Sequence, residues 1–188
     1  MIYKGTELRP GHKIEYNGDI WVVMDVTHRT PGKGQALIQA RLRSLTTGRS
    51  TNERFRSNDT IPRAQLTTRK MEYLYKEDDL LTFMDSENYE QVQINAESLG
   101  DDESYLIEGL QVMVQFREDS PLGIELPDKV VVKIVDTEPA VKGDTVNNVL
   151  KEATTDSGKV IQVPLFVGEG ESVRIKTEDG SYVERVKS

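Results

Sequence analysis

Asn17-Gly18 separates Lys13–Tyr16 from an apolar run, residues 20–26, that contains Trp21. Asparagine followed by glycine is the strongest short hairpin signal, because both residues tolerate the positive φ of a type I′ turn. The chain keeps this rhythm of short apolar runs and turn residues throughout. Residues 35–44, 50–56, 71–75, 80–85, 89–94, 111–117, 129–135, 160–167, 173–177 and 182–186 read as strands. Thr46-Thr47-Gly48, Ser120-Pro121-Leu122-Gly123 and Glu178-Asp179-Gly180-Ser181 read as turns, and residues 97–108 fit one short helix. Many short strands with little helix restrict the chain to all-β architecture, and the short strands plus one helix of the middle stretch fit a small OB-like barrel.

At 188 residues, with 36% hydrophobic and 30% charged side chains, the chain is polar for one large globule and suits a row of small domains. Asp59-Thr60-Ile61-Pro62-Arg63-Ala64 breaks the strand pattern, and Pro127-Asp128 precedes a valine-rich run, so the expected domains are 1–64, 65–128 and 129–188. Charge divides along the same lines. Residues 1–64 carry 11 Lys and Arg against 6 Asp and Glu, residues 65–128 carry 4 against 16, and the remainder is close to balance. A basic module joined to a strongly acidic one expects a polyanion at one end and repulsion of it in the middle.

Between the runs 19–26 and 35–44 stands His28-Arg29-Thr30-Pro31-Gly32-Lys33-Gly34. Pro31 fixes its own φ, Gly32 and Gly34 leave the backbone free, and Lys33 has no bulky neighbour on either side. The stretch reads either as a solvated turn or as a narrow tip that carries an ammonium to a ligand. It lacks the helix and the Ser or Thr of a phosphate-binding loop. In the strand that follows, Ala36, Ile38, Ala40 and Leu42 share one face, while Arg41 and Arg43 lie on the other; Arg54 and Arg56 again fall on one side of the next strand. These four form either a solubilising face or a set of phosphate contacts, and Arg29, beside the tip, is a further candidate for RNA contact.

The chain has no cysteine, which excludes disulfides and thiol catalysis, and only His12 and His28 supply imidazole. The carboxylate pairs Asp78-Asp79 and Asp101-Asp102 fall in a turn and a polar helix start, where solvated acids are expected. No enzyme activity, cofactor or metal is expected, and no long apolar run, signal peptide or lipidation motif points to a membrane. The expected location is the cytoplasm.

Thr30-Pro31-Gly32-Lys33-Gly34-Gln35-Ala36, followed by Arg41-Leu42-Arg43, resembles the N-terminal signature of bacterial elongation factor P. A second set, Gly143-Asp144-Thr145, Lys151, Ala153, Gly158, Val163-Pro164-Leu165-Phe166-Val167, Gly170 and Gly180-Ser181-Tyr182-Val183-Glu184-Arg185-Val186, matches the family's C-terminal pattern in order. The resemblance implies an SH3-like (KOW-type) barrel and two OB-fold barrels in an L. It also implies a 70S ribosome partner, bound between the peptidyl and exit tRNA sites, where the factor contacts the peptidyl-site tRNA and relieves stalling at consecutive prolines. By the same resemblance Lys33 approaches the CCA end and is a candidate for extension by a lysine-modifying enzyme. Tyr182 and Arg185 approach tRNA, and the loop containing Gly143, Asp144, Thr145 and Asn147 faces the small subunit. The factor is expected to act as a monomer. A generic SH3/OB RNA-binding protein and the family's specialised paralogue are the alternatives.

Overall fold

The computed structural model of the chain describes residues 1–29, 36–139 and 149–186. In chain order the elements are β1 (Ile2–Lys4), a 3-10 helix (Gly5–Glu7), β2 (Lys13–Tyr16), β3 (Asp19–Arg29), β4 (Leu37–Ser44), β5 (Ser50–Arg56), β6 (Thr60–Pro62), β7 (Thr67–Glu77), β8 (Leu80–Asp85) and β9 (Gln91–Asn95). Then follow α1 (Ala96–Leu99), a second 3-10 stretch (Gly100–Tyr105), β10 (Gln111–Arg117), β11 (Ser120–Glu125), β12 (Lys129–Thr137), β13 (Leu150–Thr155), β14 (Val160–Pro164), β15 (Ser172–Lys176) and β16 (Tyr182–Val186). They build a four-stranded sheet, β2-β3-β4-β5, a two-stranded pairing of β1 with β6, and two five-stranded sheets, β11-β10-β7-β8-β9 and β14-β13-β12-β15-β16. The architecture is all-β, as the strand rhythm requires. By compactness the chain divides into two units: Met1–Arg69 with Ile94–Gly100 and Val114–Gly123, and Lys70–Gln93 with Asp101–Met113 and Ile124–Ser188.

In the first unit, Asn17 and Gly18 adopt φ of 49° and 79°, the signs that a type I′ turn demands, and Tyr16 pairs with Asp19. Alternation along β4 sends Ile38, Ala40 and Leu42 into a core with Leu8, Ile14, Val23, Phe55 and Ile61. On β3 the register slips between Val23 and Asp25, leaving Met24 as the extra residue of a bulge. Three positions apart, Val23 and Val26 would otherwise face opposite ways. The bulge brings Val26 against the same core and turns Asp25, Thr27 and Arg29 to the outer face.

Asp19 ties the hairpin to the turn after β4. Its carboxylate accepts hydrogen bonds from Ser44 Oγ at 2.6 Å, Thr46 Oγ1 at 2.6 Å and the Ile20 amide at 2.8 Å. Burial pushes this carboxyl up, but the three donors, with the charge of Arg117, outweigh burial and hold it below the usual carboxylate range. A group depressed on folding stabilises fully above its unfolded pKa, and loses that contribution as pH falls through the folded value. Asp19→Asn is therefore expected to cost about 2 kcal/mol at neutral pH, as the loss of charge-assisted hydrogen bonds does. It should also flatten the acid limb of the stability curve. Equal urea midpoints for the two proteins at neutral pH would refute this.

In the second unit Val130, Val132 and Ile134 of β12 point inward and pack with Ala153, Ile161, Val163, Val173 and Ile175. Tyr105, at the end of the second 3-10 stretch, lies in this same core. Lys159 sits 4.3 Å from the centre of its ring and donates to Ser104 Oγ at 3.1 Å, while Ser157 Oγ donates to the Ser104 carbonyl at 2.6 Å.

Besides β1, the first 3-10 helix and β6, the last in a stretch read as a break, three elements depart from the sequence reading. Residues 120–123 are not a turn: β11 begins at Ser120, and the chain reverses just before it, where Glu118 takes a φ of 55°. Pro121 is tolerated because β11 is an edge strand, where a missing N–H breaks no inner ladder. The helix expected over 97–108 is the single turn of α1, capped by the Asn95 side chain accepting from the Glu97 amide at 2.9 Å, and then a 3-10 stretch. Strand β13 was unforeseen because its pattern is inverted: Leu150 is exposed, whereas Lys151 is buried with its ammonium donating to the Glu138 carbonyl.

Candidate nucleic-acid interface

Antiparallel register decides which side chains share the outer face of β3, β4 and β5. Arg29 pairs with Leu37, which pairs with Arg56; Thr27 pairs with Gln39, which pairs with Arg54; Asp25 pairs with Arg41, which pairs with Asn52. Directly paired residues project to one side of a sheet, so these three rows form a single surface. Arg29, Arg41, Arg54 and Arg56 are all exposed on it. Strands lie roughly 5 Å apart and alternate residues roughly 7 Å apart along a strand, which spreads four guanidinium groups over a small patch. A guanidinium remains charged at any physiological pH and offers a planar fork of donors, so the patch can grip phosphate oxygens without reading bases. No ion pair involves these four arginines among the described residues. The one carboxylate in the rows, Asp25, accepts from the Val26 amide at 2.8 Å.

Arg43 follows Arg41 on the same face of β4 but differs from the four in burial. It is half-buried, and its Nη1 lies 1.5 Å from where a Cβ on Gly100 would stand, so the guanidinium occupies the space that the missing side chain leaves. Its Nε is buried with no hydrogen-bond partner among the described residues. Arg43 is thus packed against Gly100, with less of its guanidinium open to solvent than the four exposed arginines. Its spacing in the sequence matched Arg41, and only the position of Gly100 could have told them apart.

The ladder of β3 and β4 runs to the Arg29–Leu37 pair, so the arginine rows end where the chain leaves for residues 30–36. Pro31, Gly32, Lys33 and Gly34 lie outside the described residues, as do Gly143, Asp144, Thr145 and Asn147. On β16, Tyr182 is half-buried and packs against the core of the second unit; burial pushes its phenol up. Arg185 is exposed, but its guanidinium is 2.9 Å from Glu171 and 5.6 Å from the centre of the Phe166 ring. A phosphate contact at Arg185 must displace or share that carboxylate. His28 is exposed and His12 is stacked on Tyr3, so the two imidazoles have separate environments. No group of three or more His, Asp or Glu residues suited to a metal ion occurs among the described residues. No helix among them is long and apolar enough to cross a membrane.

Comparison with known proteins gives three matching family models along the chain. Residues 4–61 match the elongation factor P KOW-like domain, residues 66–124 the elongation factor P OB domain, and residues 130–185 the elongation factor P C-terminal model. A protein of Jannaschia sp. (strain CCS1) named elongation factor P is 45% identical over 181 residues, 96% of this chain and 97% of its own length. Its namesake in Parvibaculum lavamentivorans is 43% identical over 185 residues, 98% of this chain and 99% of its own. Among solved structures, the eukaryotic translation initiation factor 5A from Methanococcus jannaschii is 17% identical, with a TM-score of 0.45 over 67% of this chain and 94% of that one.

Proposed function

The chain belongs to the elongation factor P family of translation elongation factors, and from that premise we propose that it binds the 70S ribosome between the peptidyl and exit tRNA sites and promotes peptide-bond formation at consecutive prolines. It acts in the cytoplasm, as a monomer of three modules, 1–64, 65–128 and 129–188. Proline is a poor peptidyl donor and acceptor because its ring restricts the approach of the reacting atoms. What the stalled ribosome lacks is alignment, and holding the peptidyl-tRNA in a reactive pose lowers the entropic part of the barrier. Lys33 steadies the CCA end through phosphate and 2′-hydroxyl contacts, with or without an enzyme-added extension. The ribosome supplies the chemistry.

The observation that carries this reading is the set of four exposed arginines, whose rows close at the two strand ends that lead into the Lys33 segment. They hold the acceptor arm by its backbone while Lys33 reaches the terminus. Arg185 and Tyr182 add RNA contacts at the other end of the chain, and Gly143, Asp144, Thr145 and Asn147 face the small subunit. Combined replacement of Arg41, Arg54 and Arg56 by alanine is expected to weaken binding to ribosomes carrying peptidyl-tRNA. Each lost phosphate contact should reduce the salt dependence of log K, so the slope falls by about three. An unchanged slope in a variant that melts like the wild type would remove the arginine face from the interface.

A further inference from the structure

The first unit contains, besides Met1–Arg69, the segments Ile94–Gly100 and Val114–Gly123. Where these segments meet the turn after β4, each side supplies a glycine that the other fills. Gly48, in that turn, has a φ of 71°, and a Cβ on it would stand 2.9 Å from the carbonyl oxygen of Glu97 in α1. Gly100, just after α1, has a φ of 57°, and a Cβ on it would stand 1.5 Å from Nη1 and 2.7 Å from Cζ of Arg43. A positive φ and a close approach together require glycine. Leu45 is buried beside Gly123 of β11, and Ala96, Ser98 and Leu99 of α1 are buried as well. The turn is preset, since Ser44 Oγ accepts from the Thr46 and Thr47 amides at 3.1 and 3.0 Å and donates to Asp19.

We propose that Arg43 is a positioning residue for Lys33: seated on Gly100, it fixes the direction of β4, and with it the place from which residues 30–35 start and to which they return. This role rests on the function proposed above. Its physical basis is leverage. β4 runs from Ser44 at the seam to Leu37, the partner of Arg29 at the far end of the ladder. At about 3.3 Å per residue the strand is roughly 23 Å long, so a tilt of only about 2–3° at its foot moves its far end by about 1 Å. A misplacement of that size costs about a hundredfold in a reaction that depends on alignment. Arg43 pairs with Val22 of β3 and Ser50 of β5, so a shift at its position is carried into all three strands that bear the arginine rows.

Burial separates this role from a phosphate contact. Arg43 is half-buried, whereas Arg29, Arg41, Arg54 and Arg56 are exposed, and its Nε has no hydrogen-bond partner among the described residues. An arginine that grips RNA keeps its donors toward solvent, while this one gives up a donor to reach its seat. Shape offsets that loss: a planar guanidinium fills the gap left by a missing side chain, which a compact ammonium or a shorter side chain leaves open. A second tie crosses the same seam. The Asp19 carboxylate, which accepts from Ser44 and Thr46 of the turn, lies in the field of Arg117 at the end of β10.

The test measures peptide-bond formation on a consecutive-proline template over a range of factor concentrations. Arg43→Ala should lower the saturating rate about tenfold, part of the loss given for a full ångström. The half-saturating concentration should stay within about twofold, because the four exposed arginines are untouched. Arg43→Met keeps the stem and removes the unpaired donor, so it should melt no lower than the wild type and still lose rate, which separates misplacement from a folding defect. In the free protein, residual dipolar couplings of β2 to β5 and of residues 94–100 and 114–123 should fit one alignment tensor in the wild type and need two in Arg43→Ala. The role falls if the saturating rate is unchanged in both variants, or if the Arg43→Ala couplings still fit one tensor. It falls equally if only the half-saturating concentration rises, which makes Arg43 a fifth RNA contact. Lys33→Ala is run alongside. If it too is silent, the translational reading fails and takes this role with it; if it loses rate and the Arg43 variants do not, only the role given to Arg43 fails.

Discussion

Lys33→Ala is expected to lower the rate of peptide-bond formation on a consecutive-proline template about a hundredfold, the scale of loss when a reacting group is held about an ångström out of place. On a template without prolines the rate should not change, because there the substrates align unaided. Two further readouts separate this from a general defect: ribosome affinity should fall only slightly while the four arginines remain, and the melting temperature should be that of the wild type. Lys33→Arg is informative beside it. It keeps the charge but replaces a compact ammonium by a planar fork, so partial rescue is expected. A Lys33→Ala protein that relieves stalling at the wild-type rate would sink the role given to this side chain.

Gly5→Ala is expected to destabilise the protein by about 3 kcal/mol, the upper part of the range for inserting a methyl group into a filled site. Gly5 opens the first 3-10 helix and is buried. A Cβ there would stand 2.2 Å from the carbonyl oxygen of Arg56 and 3.1 Å from its carbon. That carbonyl cannot step aside cheaply. Arg56 is paired with Leu37 in the β4–β5 ladder, its amide donates to Asp59 Oδ2 at 2.7 Å, and the Asp59 carbonyl accepts from Gly5 itself at 2.9 Å. Against a typical total of roughly 5–15 kcal/mol, a loss of this size shifts a urea midpoint visibly. The substitution should also weaken RNA binding, because relief of the clash displaces the row that holds Arg56. A midpoint equal to the wild type would show that the backbone gives way there without cost.

Most of this architecture could be read from the sequence wherever one face of a strand is apolar. The alternation of Ile38, Ala40 and Leu42, the run at 111–117 and the Asn17-Gly18 turn all appear where they were expected. Legibility failed where the tertiary context reversed the local signal. A lysine on the inner face of β13 is satisfied by the Glu138 carbonyl, so the chain shows a polar residue where a core position stands. A proline in β11 is harmless only because nothing pairs beyond that edge. Of the arginine face, the period of two gave Arg41, Arg54 and Arg56, but it could not show that Met24 is a bulge, which is what brings Arg29 into the same rows. Nor could it separate Arg43, whose neighbour Gly100 is distant in sequence.

Tyr105 belongs in sequence to the 3-10 stretch that precedes β10, yet its ring completes the interior built by β12 to β16. A recombination event that cut the gene between β11 and β12 would hand the downstream fragment a vacancy the size of a phenol. Any exchange of that C-terminal piece between relatives must therefore carry Tyr105 along, or find a partner whose own ring fits the hole. The inheritable block is larger than the strand count alone would draw it.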